Sequence, residues 1–90
     1  MKISDKKKEK IYEQILAILY SNNFKPLFTY EIAQEIARDE EFIKKLLLEL
    51  LNKKLILKID KNPKGILYVR RARWKLTNTM YEVYKKHQNI

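Results

Sequence analysis

Few side chains in this sequence are suited to covalent chemistry. The one histidine, His87, lies three residues from the end, cysteine is absent, and no serine stands in a setting that would make it a nucleophile. Glu31, Glu35, Asp39, Glu40 and Glu41 form the one dense acidic group. Without histidine partners they read as helix-surface charge rather than metal ligands. No catalysis, metal or cofactor is expected, and no small-molecule ligand is evident. Cations are plentiful instead: 20 Lys and Arg against 11 Asp and Glu give a net charge of +9. Such an excess favours polyanionic partners, either nucleic acid or an acidic membrane surface.

Where the charge sits says more than its total. Residues 1–27 carry net +3, residues 28–52 net −3, residues 53–75 net +8 and the remainder +1. Nearly all of the excess therefore lies between Lys53 and Lys75, in Lys58, Lys61, Lys64, Arg70, Arg71, Arg73, Lys75 and the two lysines that open the run. A polybasic segment of this kind can track phosphates, releasing counterions and giving salt-dependent, sequence-tolerant affinity. Arginine also suits a narrow minor groove. The plainer reading is a solvated strand face; the clustering of Arg70, Arg71 and Arg73 favours binding.

The elements that must position these residues can be read from periodicity. Ser4 can cap a helix whose Ile11, Ile15, Ile18 and Leu19 fall at helical spacing and which stops near Ser21-Asn22-Asn23. Pro26 forces extension, so Leu27-Phe28 reads as a short strand. Thr29 offers a cap for a short helix with Ile32, Ala33, Ile36 and Ala37 inside, and Asp39 caps another running from Glu40 to about Lys53. In that third helix Ile43, Leu46, Leu47, Leu50 and Leu51 share an inner side, while Leu48 falls outward with Glu41, Lys45 and Asn52. Leu55 to Ile59 and Ile66 to Leu76 flank the turn signal Lys61-Asn62-Pro63-Lys64-Gly65, predicting a β-hairpin. The second strand is long enough to pair with Leu27-Phe28 as well. Thr79 to Glu82 has the pattern of a capping box, opening a last helix with Met80, Val83, Tyr84 and His87 on one face.

This order, H-(E)-H-H-E-E-H, resembles the winged helix-turn-helix superfamily over nearly the whole chain. Thr29-Tyr30-Glu31-Ile32-Ala33 looks like the start of its second helix, Asp39 to Leu51 like its third, Lys53-Lys54-Leu55-Ile56 like the bend into the wing, and Trp74-Lys75-Leu76-Thr77 like the motif that closes it. Two positions depart from common regulators of this kind: Lys54 stands for a glycine after the third helix, and Met80 for one after the Leu-Thr pair. The fold class expected is α+β, mostly helical, in a single domain over residues 1–90, with the wing at about 55–76 and an added C-terminal helix at about 78–88.

The resemblance implies duplex DNA as partner, with the third helix in the major groove and the wing on phosphates or in the minor groove. Tyr30, Glu41, Lys44, Lys45, Leu48 and Asn52 would then be the helix contacts, although Glu40 and Glu41 serve equally as helix-start stabilisers. Leu48 has two readings, a thymine methyl contact or a subunit contact, and Tyr30 has two as well, a phosphate contact or a packing tyrosine. Met80, Val83, Tyr84 and His87 are expected dimer contacts, so a homodimer on a palindromic site follows, unless they pack back on the first helix. Rival readings are a protein-interaction winged helix using the acidic third helix, with Phe42 and Leu48, and an RNA-binding winged helix. The apolar runs Ile15 to Tyr20 and Leu46 to Leu51 fall far short of the roughly 20 residues that span a bilayer. No signal-peptide pattern is evident, so a cytoplasmic, nucleoid-associated protein is expected. The richness in lysine and isoleucine is compatible with thermophily.

Overall fold

Proline at 26 lacks an N–H and disfavours helix in the residue before it, so the chain leaving the first helix must extend. It does so in the computed structural model, which describes residues 5–60 and 72–88. The order is α1 (Asp5–Ser21), β1 (Leu27–Phe28), α2 (Thr29–Ile36), α3 (Glu40–Asn52), β2 (Ile56–Ile59), β3 (Arg73–Leu76) and α4 (Asn78–Gln88). Ser4, the expected turn at Lys61 to Gly65, and the cations Lys61, Lys64, Arg70 and Arg71 lie outside the described residues.

The strands form an antiparallel sheet in the order β1-β3-β2. The expected pairing of Leu27-Phe28 with the end of the second hairpin strand is present, with Leu27 opposite Trp74 and Phe28 opposite Arg73. One face of this sheet supplies Leu27, Ile56, Trp74 and Leu76 to the core, where they meet Ile11, Ile15, Leu16 and Leu19 of α1, Ile32 and Ala33 of α2, and Ile43, Leu46, Leu47 and Leu50 of α3. Trp74 is the largest of the fully buried side chains, 1% exposed. A buried indole N–H needs an acceptor, and the Thr29 hydroxyl accepts it at 2.9 Å.

Two caps differ from the sequence expectation. Thr29 is the first residue of α2 rather than its cap: Phe28 holds the boundary, and its N–H donates to Glu31 Oε1 at 2.9 Å while the threonine hydroxyl serves Trp74. At α4 the cap is Thr77, whose Oγ1 accepts from the Met80 N–H at 3.2 Å, and Thr79 lies inside the first turn. In both places a local pattern competed with a nearby residue that tertiary contacts favoured. Asp39 caps α3 as expected, accepting from the Phe42 N–H at 3.1 Å.

Both helices of the central pair end in the same way. The Arg38 N–H donates to the Ala33 carbonyl and the Ala37 N–H to Gln34, and likewise Leu55 to Leu50 and Lys54 to Leu51. This nested pair of bonds places one residue in the left-handed region, usually glycine. Here those residues are Ala37, φ 61°, and Lys54, φ 63°. The lysine standing where a glycine is common is thus a strained residue in a glycine position.

Relieving that strain makes Ala37→Gly raise stability by about 0.5–1 kcal/mol, seen as a higher urea midpoint at unchanged slope. Thr29→Val, by contrast, strands the buried indole N–H and lowers stability by about 1–3 kcal/mol in the same assay.

Candidate nucleic-acid interface

Residues spaced three and four apart line one stripe of a helix. Along α3 that stripe is Glu41, Lys44, Lys45, Leu48 and Asn52, all of them exposed, with Leu48 at 43%. The opposite side is the core-facing set of Ile43, Leu46, Leu47 and Leu50. At the flank, Glu49 ties α3 to α1: the Tyr12 hydroxyl donates to its Oε1, and Lys8 Nζ lies 2.7 Å from the same oxygen. The bonds from Lys8 and then Tyr12 pull the Glu49 carboxyl below its ordinary range. Lys8 is raised by its bond to Glu49, and Tyr12 by burial and then by that carboxylate.

The sheet divides the expected wing cations. Residues directly opposite on antiparallel strands point to the same face, and the register sets Lys58 opposite Trp74 but Ile59 opposite Arg73 and Leu57 opposite Lys75. Arg73 and Lys75 therefore share the outer face, and Lys58 points to the other side. Counting basic residues along the hairpin hides this split. On the outer face Arg73 lies over the Phe28 ring, its guanidinium carbon 4.6 Å from the centroid. Phe28 in turn stacks with Tyr30, with centroids 5.7 Å apart and planes 15° apart.

Of the residues expected at a dimer contact, Met80 and Tyr84 are half-buried against the core of their own chain. The Tyr20 ring lies 5.4 Å from Tyr81 and 5.6 Å from Tyr84. The Tyr84 hydroxyl donates to the Glu13 carbonyl at 3.4 Å. Burial, and then the Glu13 charge, push the Tyr84 hydroxyl above its ordinary range. Val83, 41% exposed, and His87 face solvent.

Sequence reasoning did not single out Phe28, Glu49 or Arg38 as site residues. Arg38, in the turn between α2 and α3, lies over the Phe42 ring at 5.9 Å. Phe24, in the loop after α1, is 99% exposed. The contacts of Phe28 and Glu49 join distant parts of the chain and leave no mark in local periodicity; Arg38, four residues before Phe42, was within reach of a local reading. Among the described residues no helix is long and apolar enough to cross a membrane, and no group of histidine, cysteine and acidic side chains is placed to hold a metal.

No protein-family model and no curated protein matches this sequence, but solved structures do. MepR of Staphylococcus aureus, solved as a complex with DNA, is 26% identical, with 94% of this chain and 69% of that chain covered and a TM-score of 0.70. A MepR mutant from a multidrug-resistant S. aureus clinical isolate gives 24%, 93%, 62% and 0.67. Lactococcus lactis ZitR, as a mutant in apo form, gives 22%, 90%, 58% and 0.63. The chain folds as a winged helix-turn-helix. It spans less than two thirds of the length of the last two structures. In this winged helix α2 and α3 are the helix-turn-helix, Ala37 to Asp39 the turn, and β2 and β3 the base of the wing.

The Glu49 network is expected to add to the acid sensitivity of the winged helix. A carboxyl whose folded pKa is lowered contributes stability that is complete above its unfolded value, about 4.3, and is lost as pH falls through the folded value. Urea unfolding from about pH 6 to pH 3 is expected to show a falling midpoint for the wild type and a shallower fall for Glu49→Gln. Parallel curves would assign the loss to other carboxylates.

Proposed function

We propose that this winged helix is a DNA-binding transcription regulator, with α3 in the major groove and the wing against phosphates or the minor groove. The observation that carries the reading is the exposed α3 stripe of Lys44, Lys45, Leu48 and Asn52, on a fold that S. aureus MepR, a transcription regulator, shares in its complex with DNA. Asn52 can pair with an adenine edge, Leu48 can meet a thymine methyl, and the two lysines offer charge to guanine or to phosphate. Glu41 stabilises the start of α3 through the helix dipole and can accept from cytosine N4. Tyr30 supplies a hydroxyl for a phosphate. Arg73 and Lys75 on one face of the wing and Lys58 on the other supply sequence-tolerant affinity, with Lys61, Lys64, Arg70 and Arg71 adding to it.

The protein acts as a homodimer on a two-fold symmetric site. Val83 and His87, which of the four residues expected at this contact are the solvent-facing ones, supply its contacts, and Met80 and Tyr84 back them. Two copies set each α3 about one helical turn of DNA from its partner, roughly 34 Å.

Fluorescence titration of a duplex across ionic strength tests both statements. Affinity is expected to fall steeply with salt, by about 0.9 in log K per log salt for each phosphate neutralised. Charge reversal of Lys44 and Lys45 together is expected to weaken binding by about tenfold or more. A double variant that binds every duplex as the wild type does removes α3 from the groove. Selection from random duplexes is expected to enrich a palindrome; a single, asymmetric half-site would remove the dimer.

A further inference from the structure

Three elements bring one side chain each to the seam between wing and helix-turn-helix. Phe28 ends β1, Tyr30 lies in the first turn of α2, and Arg73 opens β3. Antiparallel pairing sets Phe28 and Arg73 directly opposite on the outer face, so the guanidinium has a ring beside it by register. That guanidinium sits at 4.6 Å from the Phe28 centroid, inside the distance at which a ring quadrupole attracts a cation. Tyr30 stacks with the same phenylalanine.

A long arginine side chain loses much rotamer freedom when it binds a fixed anion. One already lying on a ring has lost part of that freedom before the ligand arrives, so less is lost on binding. The stack engages the face of the guanidinium and Nε is buried, so a phosphate oxygen takes the terminal N–H groups. Glu31, the acidic residue of this turn, directs Oε1 to the Phe28 N–H at 2.9 Å.

We infer that Phe28 is a positioning residue for phosphate binding: it holds the wing's Arg73 and helix α2's Tyr30 in one stack, so that guanidinium and phenol hydroxyl meet the same stretch of phosphodiester backbone. The inference deepens the DNA-binding reading and rests on it. It gives Phe28 a role that involves no contact with the ligand, and it makes the wing and the helix-turn-helix act on the backbone as a unit.

Two measurements test it. In the free protein, the Arg73 side-chain resonances are expected upfield, in the ring current of Phe28, to lose that shift in Phe28→Leu and to keep it in Phe28→Tyr. Resonances at ordinary positions in the wild type overturn the inference without any use of DNA. In duplex titrations at low salt, Phe28→Leu is expected to weaken binding about two- to fivefold, with Phe28→Tyr restoring it. In an Arg73→Ala background the Phe28→Leu penalty should shrink to the part carried by Tyr30; a penalty of full size there overturns the coupling. Phe28→Tyr keeps the ring, so it stays informative if the leucine variant folds poorly. A wild type that shows the Arg73 shift but binds no duplex overturns the functional reading, and the phosphate role with it, while leaving the stack in place.

Discussion

The hydrogen bond from the Trp74 indole to the Thr29 hydroxyl is the constraint on which the arrangement of this chain depends. Trp74 belongs to the central strand, between β1 and β2, and its side chain is buried. Thr29 opens α2. One polar contact inside an apolar core therefore fixes the start of the helix-turn-helix relative to the base of the hairpin. Apolar packing alone tolerates sliding, because it is not directional; a buried donor with one acceptor in reach does not. The same register that seats Trp74 places its neighbour Arg73 across from Phe28, so the core and the outer face are set by one pairing.

Against that fixed frame α3 is held by two different kinds of force. Its inner stripe is apolar and buried, and its flank is tied to α1 by Glu49 with Tyr12 and Lys8. The residues that close α2 and α3 are less comfortable, since Ala37 and Lys54 both take left-handed backbone without being glycine. The strain persists because the nested backbone bonds at each helix end are satisfied only in that geometry.

Much of this was legible in the sequence. The 3.6-residue spacing gave away α1 and the two faces of α3, including the exposure of Leu48; Asp39 announced its helix, and Pro26 announced the extended link before Leu27. The pairing of Leu27-Phe28 with the second hairpin strand was legible too; what escaped was mostly side-chain contact between distant segments. Thr29 and Thr79 both have the chemistry of a cap, yet Thr29 is engaged by an indole far along the chain and Thr77 takes the place expected of Thr79. Alternation along a strand sets Arg73 and Lys75 apart from Trp74, but the facing of Lys58 depends on the cross-strand register, which no single strand reveals. Phe28 carried no signal beyond its place before a helix, because the arginine that gives it meaning is on another strand.

The division of cations across the hairpin has a geometric consequence. Arg73 and Lys75 stand on the outer face, whereas Lys58 is an exposed residue on the side that packs on the core through Ile56, Trp74 and Leu76, so the base of the wing has one open charged face and a lysine at the rim of the other. An anionic chain crossing the outer face meets Arg73 and Lys75 together, and reaches Lys58 only by bending around the edge strand β2.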